Sequence, residues 1–246
     1  MERSVQKPLV SVIITSKNRE MFIREAIESV LAQTYRNFEL IVIDGHSTDA
    51  TPLIVHSYPQ VRFVLQTGTG IADAYNQGVA EAKGELLAYL SSDDRWTPNK
   101  LEVQVSCLVE HPEIQYAVAK VKFFLQPGCS IPPGFRPELL EGEHIGRIME
   151  TLLVRKALFA RVGTFRTDVP PGEDVDWYAR CKDLGVPMVV VPEVLLLKRV
   201  HDNNASADAR VNNPVLLTVL RDSIKRQREA AVAGAVPSAK SKNAKS

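Results

Sequence analysis

The sequence predicts an α/β protein: a mostly parallel sheet with helices on both faces. Short aliphatic, β-branched runs alternate with helix-spaced apolar patterns four times within about 90 residues. Those runs are apolar at consecutive rather than alternate positions, as strands covered on both faces require. Each strand–helix repeat is short enough to be one crossover unit.

Taken in order, Leu9 to Thr15 is the first strand, bounded by Pro8 and by polar Ser16-Lys17-Asn18. Met21 to Gln33 then places Phe22, Ala26, Ile27, Val30 and Leu31 at helical spacing. Phe38 to Ile43 is the second strand and ends at Asp44-Gly45. Ser47 or Thr48 is positioned to cap a helix reaching Ser57, with Asp49 in its first turn and Pro52 near its start. A strand at Val61 to Leu65, a turn at Gly68-Thr69-Gly70 and a helix from Ile71 to Ala82 follow. The strand Glu85 to Leu90 stops at Ser91-Ser92-Asp93-Asp94. Right-handed crossovers bring strand carboxyl ends to one edge, where such sheets bind ligands. Thr15, Asp44 and Asp93-Asp94 are therefore expected to converge.

The second half is less regular. Pro98 to Glu110 reads as a helix, Gln115 to Phe124 as a strand, and Gln126 to Gly146 as a Pro- and Gly-rich loop able to cover a site. Leu152-Leu153-Val154 reads as a strand and Lys156 to Arg161 as a short helix. Asp174 to Leu184 is helical, Val186 to Leu197 forms one or two strands interrupted at Pro192, and Val215 to Glu229 is a terminal helix. Ala230 to Ser246, rich in Ala, Lys and Ser, is expected to be disordered.

Composition excludes several classes of function. The 246 residues carry 30 Lys+Arg against 29 Asp+Glu, a balance that argues against a dedicated nucleic-acid binder. No apolar stretch approaches the roughly 20 residues of a membrane-spanning helix, and Met1 to Pro8 lacks the apolar core of a secretory signal. Cys107, Cys129 and Cys181 are too scattered for a disulfide framework or zinc cluster. The expectation is a soluble, cytoplasmic globular protein.

Four segments could carry chemistry. Adjacent carboxylates at Asp93-Asp94 suit Mg2+ or Mn2+, hard cations that complete their shell with phosphates; alternatively they cap a following helix. Asp44 at its strand end either accepts a nucleotide hydrogen bond or organises a turn and helix cap. Glu173-Asp174 and Asp176-Trp177 open a helix, where acids answer the dipole or where one serves as a general base. Asp174 and Trp177 share a face there, and Asp176 points elsewhere. His201, after the last strand, completes a metal shell, contacts phosphate or is an ordinary loop histidine. Gly68-Thr69-Gly70 lacks the third glycine of a dinucleotide fingerprint, because Asp73 stands in its place.

Taken together the motifs resemble the family 2 glycosyltransferases of GT-A fold. Val10 to Arg19 is similar to the family's opening strand and nucleotide loop, Glu25 to Tyr35 to its first helix, and Phe38 to Asp49 to its next strand and turn. Gly70 to Gly78, then Ala82 to Glu85 and Ser91 to Asp94, resembles the subgroup acting on bacterial surface polysaccharides. Val162 to Phe165, Gly172-Glu173-Asp174 and Arg199-Val200-His201 follow in family order. Three positions depart from the pattern: Gly45 replaces a second acid, Ser91 stands where many members have Asp, and Lys17 occupies a common aromatic position.

The resemblance implies one GT-A domain over residues 1–229, with a nucleotide-sugar half at 9–97, an acceptor half at 98–229 and a tail at 230–246. It implies inverting transfer from a nucleotide-diphosphate sugar, UDP-linked by family preference, to a glycan, lipid-linked sugar or other hydroxyl acceptor. Thr15, Lys17, Asn18, Asp44, Asp73, Asn76 and Asp93 would contact the donor. Asp94 and His201 would hold Mg2+ or Mn2+, Asp174 would be the base, and Glu173 and Trp177 would face the acceptor. A nucleotide-sugar pyrophosphorylase would need an early glycine-rich phosphate loop, which Ser16-Lys17-Asn18-Arg19 is not. A non-catalytic nucleotide-sugar-binding or scaffold protein is the alternative. The basic residues Lys225, Arg226, Arg228, Lys240, Lys242 and Lys245 either form a solvated tail or associate weakly with a membrane.

Overall fold

The computed structural model describes residues 7–202 and 209–234. Four parallel strands form the first half of one nine-stranded sheet: β1 (Val10–Ser16), β2 (Phe38–Asp44), β3 (Val61–Leu65) and β4 (Leu86–Ser91). Helices α1 (Ile23–Leu31), α2 (Thr51–His56) and α3 (Ile71–Glu81) connect them. The strand order β3-β2-β1-β4 is that of a doubly wound half-sheet. β1 is buried at every position, and Ile13, Ile41 and Leu87 pack in a different core cluster from Val12, Val42 and Ala88. Alternate residues of each strand thus serve opposite faces of the sheet, which explains the continuous apolar runs.

Beyond β4 the sheet turns mixed. The remaining strands are β5 (Arg95–Trp96), β6 (Tyr116–Leu125), β7 (His144–Gly146), β8 (Leu153–Arg155) and β9 (Met188–Val200). The order continues β4-β8-β6-β9-β5, with β7 on β6. β8 runs antiparallel to β4 and β6, while β9 runs parallel to β6. Helices α4 (Lys100–Glu110), α5 (Leu158–Val162), α6 (Glu173–Asp183) and α7 (Ala209–Gly234) complete the chain.

Three expectations need correction. Asp93-Asp94 caps no helix, because α4 starts at Lys100 after the short strand β5. Pro192 does not divide the last strand: β9 runs through it, and the register jumps from Ala119↔Val191 to Lys120↔Val194. Proline lacks the N–H a ladder needs, so the strand bulges there instead of ending. Ala230 to Gly234 continue α7 rather than opening a disordered tail; residues 235–246 lie outside the described residues.

Helix α3 approaches the sheet through Gly78, where an added Cβ would lie 2.6 Å from Ile13 Cγ2. Ile13 is fully buried in β1, so neither partner can move aside. Gly78→Ala is expected to destabilise the protein by about 1–3 kcal/mol, read as a lower midpoint in urea at unchanged slope.

Candidate active site

The parallel strands end along one edge, and a cleft of about 1220 Å³ opens there. Thr15, Ser16 and Lys17 from the end of β1 line it, as do Gly45 and His46 after β2, Gln66 after β3, and Ser91, Ser92 and Asp93 at the end of β4. The second half contributes Glu150, Gly172, Glu173, Asp174 and the end of β9, Lys198 to Val200, to the same lining.

The expected donor residues divide into cleft lining and scaffold. Thr15, Lys17 and Asp93 line the cleft. Asn18, Asp44, Asp73 and Asn76 brace its walls from behind. Both oxygens of Asp44 are taken by Ser47, from its N–H at 2.8 Å and its hydroxyl at 2.7 Å, so this carboxylate builds the turn after β2. Asn18, at φ 52°, ties the first loop to that turn by accepting the Thr48 N–H at 2.8 Å. Asp73 accepts the Thr69 N–H at 2.9 Å, with its carboxylate under Gly68, where a Cβ would meet Oδ2 at 2.5 Å. Asn76 clamps Phe165 at both backbone groups, donating to the carbonyl at 2.8 Å and accepting the N–H at 2.9 Å. That clamp joins the two halves of the molecule.

The acidic pair splits as well. Asp93 is in the cleft, where His201 Nε2 lies 3.2 Å and Arg19 Nε 3.6 Å from its Oδ2. Burial works against its charge, but the His201 contact and the Lys198 and Arg19 charges outweigh that and hold the carboxyl below its ordinary range. Asp94 is behind the wall and 1% exposed. Its Oδ2 accepts Lys198 Nζ and its Oδ1 the Arg199 N–H, each at 2.8 Å. With both oxygens engaged in the interior, Asp94 is a strut between β4 and β9, and the carboxylate offered to the cleft is that of Asp93.

Lys198 also reaches Glu150 at 3.1 Å, and Glu150 accepts the Ser91 hydroxyl at 2.5 Å. Burial opposes the charge on Lys198, but Asp94 and Glu150 outweigh it and raise the ammonium above its ordinary range. The same pairing accounts for Ser91: an acid there would confront Glu150. Arg199 donates from Nε to the Asp93 carbonyl at 2.9 Å and from Nη2 to Glu25 at 2.8 Å, and it also bonds Gln126. Its guanidinium lies 4.9 Å from the ring centroids of both Phe22 and Phe124. His201 packs against Phe22 at 4.8 Å between ring centroids.

Glu173 and Asp174, also in the cleft lining, form the first turn of α6. Burial, then repulsion from Glu173, pushes Asp174 up to about 7. Burial also raises Glu173, whose Oε2 is buried with no hydrogen-bond partner among the described residues. Asp176 points away, to Arg180 at 2.7 Å. Trp177 is not at the site: it is fully buried, with Phe159, Phe165, Tyr116 and Tyr178 around it, and donates to the Gly163 carbonyl at 3.2 Å. The sequence alone does not mark Glu150, Lys198 or Arg19 as site residues. Arg19 and Lys198 sit at strand-end positions that could have flagged them, whereas Glu150 lies in a short 3₁₀ turn (Met149–Thr151) with no local signal.

Comparison with known proteins places this chain in a family. The model of the family described as "Glycosyl transferase family 2" matches residues 11–148. A Rickettsia prowazekii protein named only as a glycosyltransferase is 40% identical over 229 residues, which is 82% of this chain and 67% of that one. Among solved structures, S. aureus TarS 1-349 in complex with UDP is similar in fold at a TM-score of 0.64 and 20% identity over 85% of this chain. The chain spans 64% of that TarS structure. A Pyrobaculum calidifontis mannosyltransferase in complex with GDP-Man and Mn2+ gives a TM-score of 0.62 at 20% identity, covering 95% of this chain and 78% of that one. The matched family model reaches from inside β1 to Ile148, itself in the cleft lining, and the chain therefore belongs to glycosyl transferase family 2 and is a glycosyltransferase.

Proposed function

We propose that the protein is an inverting transferase that moves a sugar from a nucleotide-diphosphate sugar, with UDP favoured, to an acceptor hydroxyl. The observation that carries this reading is one cleft lined by Asp93, by basic side chains and by Asp174, a half-buried carboxyl poised near neutrality. The resemblance of Gly70 to Asp94 to the surface-polysaccharide subgroup supports a role in bacterial polysaccharide or glycoconjugate synthesis.

Thr15, Lys17 and the glycine turn before α3 line the cleft and would bind the nucleotide, and Arg19 and Lys198 would supply positive charge for its diphosphate. Asp93 and His201 fit a shared divalent cation. One carboxylate and one imidazole, 3.2 Å apart, match the few protein ligands that Mg2+ or Mn2+ takes when diphosphate and water supply the rest. A bound Mg2+ or Mn2+ would neutralise the departing diphosphate as a Lewis acid.

Asp174 accepts the acceptor's proton as the hydroxyl oxygen attacks the anomeric carbon, opposite the leaving nucleoside diphosphate. The new C–O bond forms as the bond to the diphosphate breaks, and configuration inverts. Glu173, a cleft-lining residue with an oxygen unpartnered among the described residues, would hold the acceptor hydroxyl.

The test is a thermal-shift screen of UDP-, GDP-, dTDP- and CMP-sugars with and without Mn2+. One nucleotide class is expected to raise Tm only with the metal. In Asp93→Asn that metal-dependent increment is expected to vanish, with donor affinity in Mn2+ at least about 10-fold weaker. A full metal-dependent shift in Asp93→Asn would remove Asp93 from the cation site; no shift with any donor would overturn the reading.

A further inference from the structure

Helix α7 is divided lengthwise into three strips. One strip docks on the body: Val219 is 3% exposed, Asp222 meets Arg166 at 2.6 Å, and Ser223 and Arg226 each bond Asp183 at 2.8 Å. A second strip is apolar and faces outward. Leu216, Leu220 and Ile224 follow at i, i+4 and i+8 with Leu217 beside them, exposed by 44%, 55%, 41% and 55% in that order. Isolated exposed apolar residues are ordinary, but four on one stripe are not. The third strip carries the exposed basic residues Arg221, Lys225 and Arg228.

Charge along the chain follows the same division. Residues 221–246 hold seven basic and two acidic side chains, a net charge of +5, whereas the first 220 residues hold 23 basic and 27 acidic, a net of −4. The apolar stripe is also continuous with the cleft. Leu216 belongs to both, and the cleft-lining Ile71 and Val175 are themselves 39% and 38% exposed. No helix among the described residues is long and apolar enough to cross a membrane.

We propose that the outward face of α7 is an interfacial helix that seats the protein on an anionic lipid surface, with the mouth of the cleft against that surface. An apolar stripe flanked by Lys and Arg is the pattern that lies in the headgroup region, apolar side down and cations on anionic lipid. A second copy of the chain fits less well, because a two-fold pairing of these faces would bring the same basic strip into its own vicinity. On this surface the enzyme meets acceptors carried on lipid. The proposal goes beyond the transferase reading, and its test uses neither donor nor acceptor, so the two fail separately.

The test is co-sedimentation of the full chain with vesicles of phosphatidylcholine alone or with about 30% phosphatidylglycerol, an anionic lipid. Binding is expected only to the anionic vesicles. The variant Leu217→Ser/Leu220→Ser/Ile224→Ser should bind at least about 10-fold more weakly. Arg221→Gln/Lys225→Gln/Arg228→Gln should lose roughly fivefold per charge removed. Lys240→Gln/Lys242→Gln/Lys245→Gln should weaken binding less than the α7 charge variant does and retain its dependence on Leu217, Leu220 and Ile224. All substituted positions on α7 are exposed, so an unchanged Tm is expected to show that each variant is folded. The proposal is overturned if anionic vesicles do not bind, or if the apolar variant binds as the parent does. It is equally overturned if sedimentation shows a dimer that the apolar variant dissociates while vesicles bind neither form.

Discussion

Asp174→Asn is expected to bind donor as the parent does and to transfer sugar at least about 100-fold more slowly. Asp174 lines the cleft from the first turn of α6 and accepts the N–H of Val175 at 2.7 Å, a contact an amide oxygen keeps. The substitution therefore removes a proton acceptor and little else. Burial and Glu173 push the carboxyl up to about 7, close to the value a base working near neutral pH needs. In the parent, kcat/KM is expected to fall about tenfold per pH unit below that value as the base protonates; the residual activity of Asp174→Asn should lose that limb. Stability carries the opposite sign. A carboxyl raised above its ordinary range holds its proton in the folded state where the unfolded chain has released it. Its contribution is fully present below the ordinary carboxyl range and declines as pH rises through about 7. Asp174→Asn should therefore be at least as stable as the parent at pH values above that point. Unchanged turnover would move the base to Glu173.

The parallel half was legible because its signals are local. Val61–Leu65 appears at its expected boundaries, and β1, β2 and β4 each lie within about one residue of theirs. Strands covered on both faces announce themselves as unbroken apolar runs. Strands β5 and β7, of two and three residues, are too short for periodicity, and only their partners β9 and β6 define them. The site followed the same rule. Which strand ends converge could be read from the βα alternation, but which carboxylate faces the cleft could not. Asp93 and Asp94 are adjacent, and they are sorted by Lys198, Arg199 and His201, more than 100 positions away. Asn76 likewise finds its partner Phe165 at a separation of 89. Trp177 shows the limit of helical spacing: it fixes which residues share a face, not what that face meets, and here the aromatic core claimed the side chain.

Lys198→Met is expected to cost about 3–5 kcal/mol of stability, because it leaves buried carboxylates without their cation. Among the described residues Lys198 is the one cation paired with both Asp94 and Glu150, at 2.8 and 3.1 Å, and the side chain of Asp94 is fully buried. Asp94→Asn should also destabilise, since an amide can offer an acceptor to only one of the two donors, Lys198 Nζ and the Arg199 N–H. Removing both charges together, as Asp94→Leu/Lys198→Met, should cost less than the sum of the single changes, because neither charge is then left behind alone. The comparison also decides the role of the acidic pair. As a strut between β4 and β9, Asp94 should lower Tm when changed to Asn, while the folded protein keeps its metal-dependent response to donor. An Asp94→Asn protein with the parent's Tm and no response to Mn2+ would instead make Asp94 the cation ligand, and would require its carboxylate to leave Lys198 when donor binds.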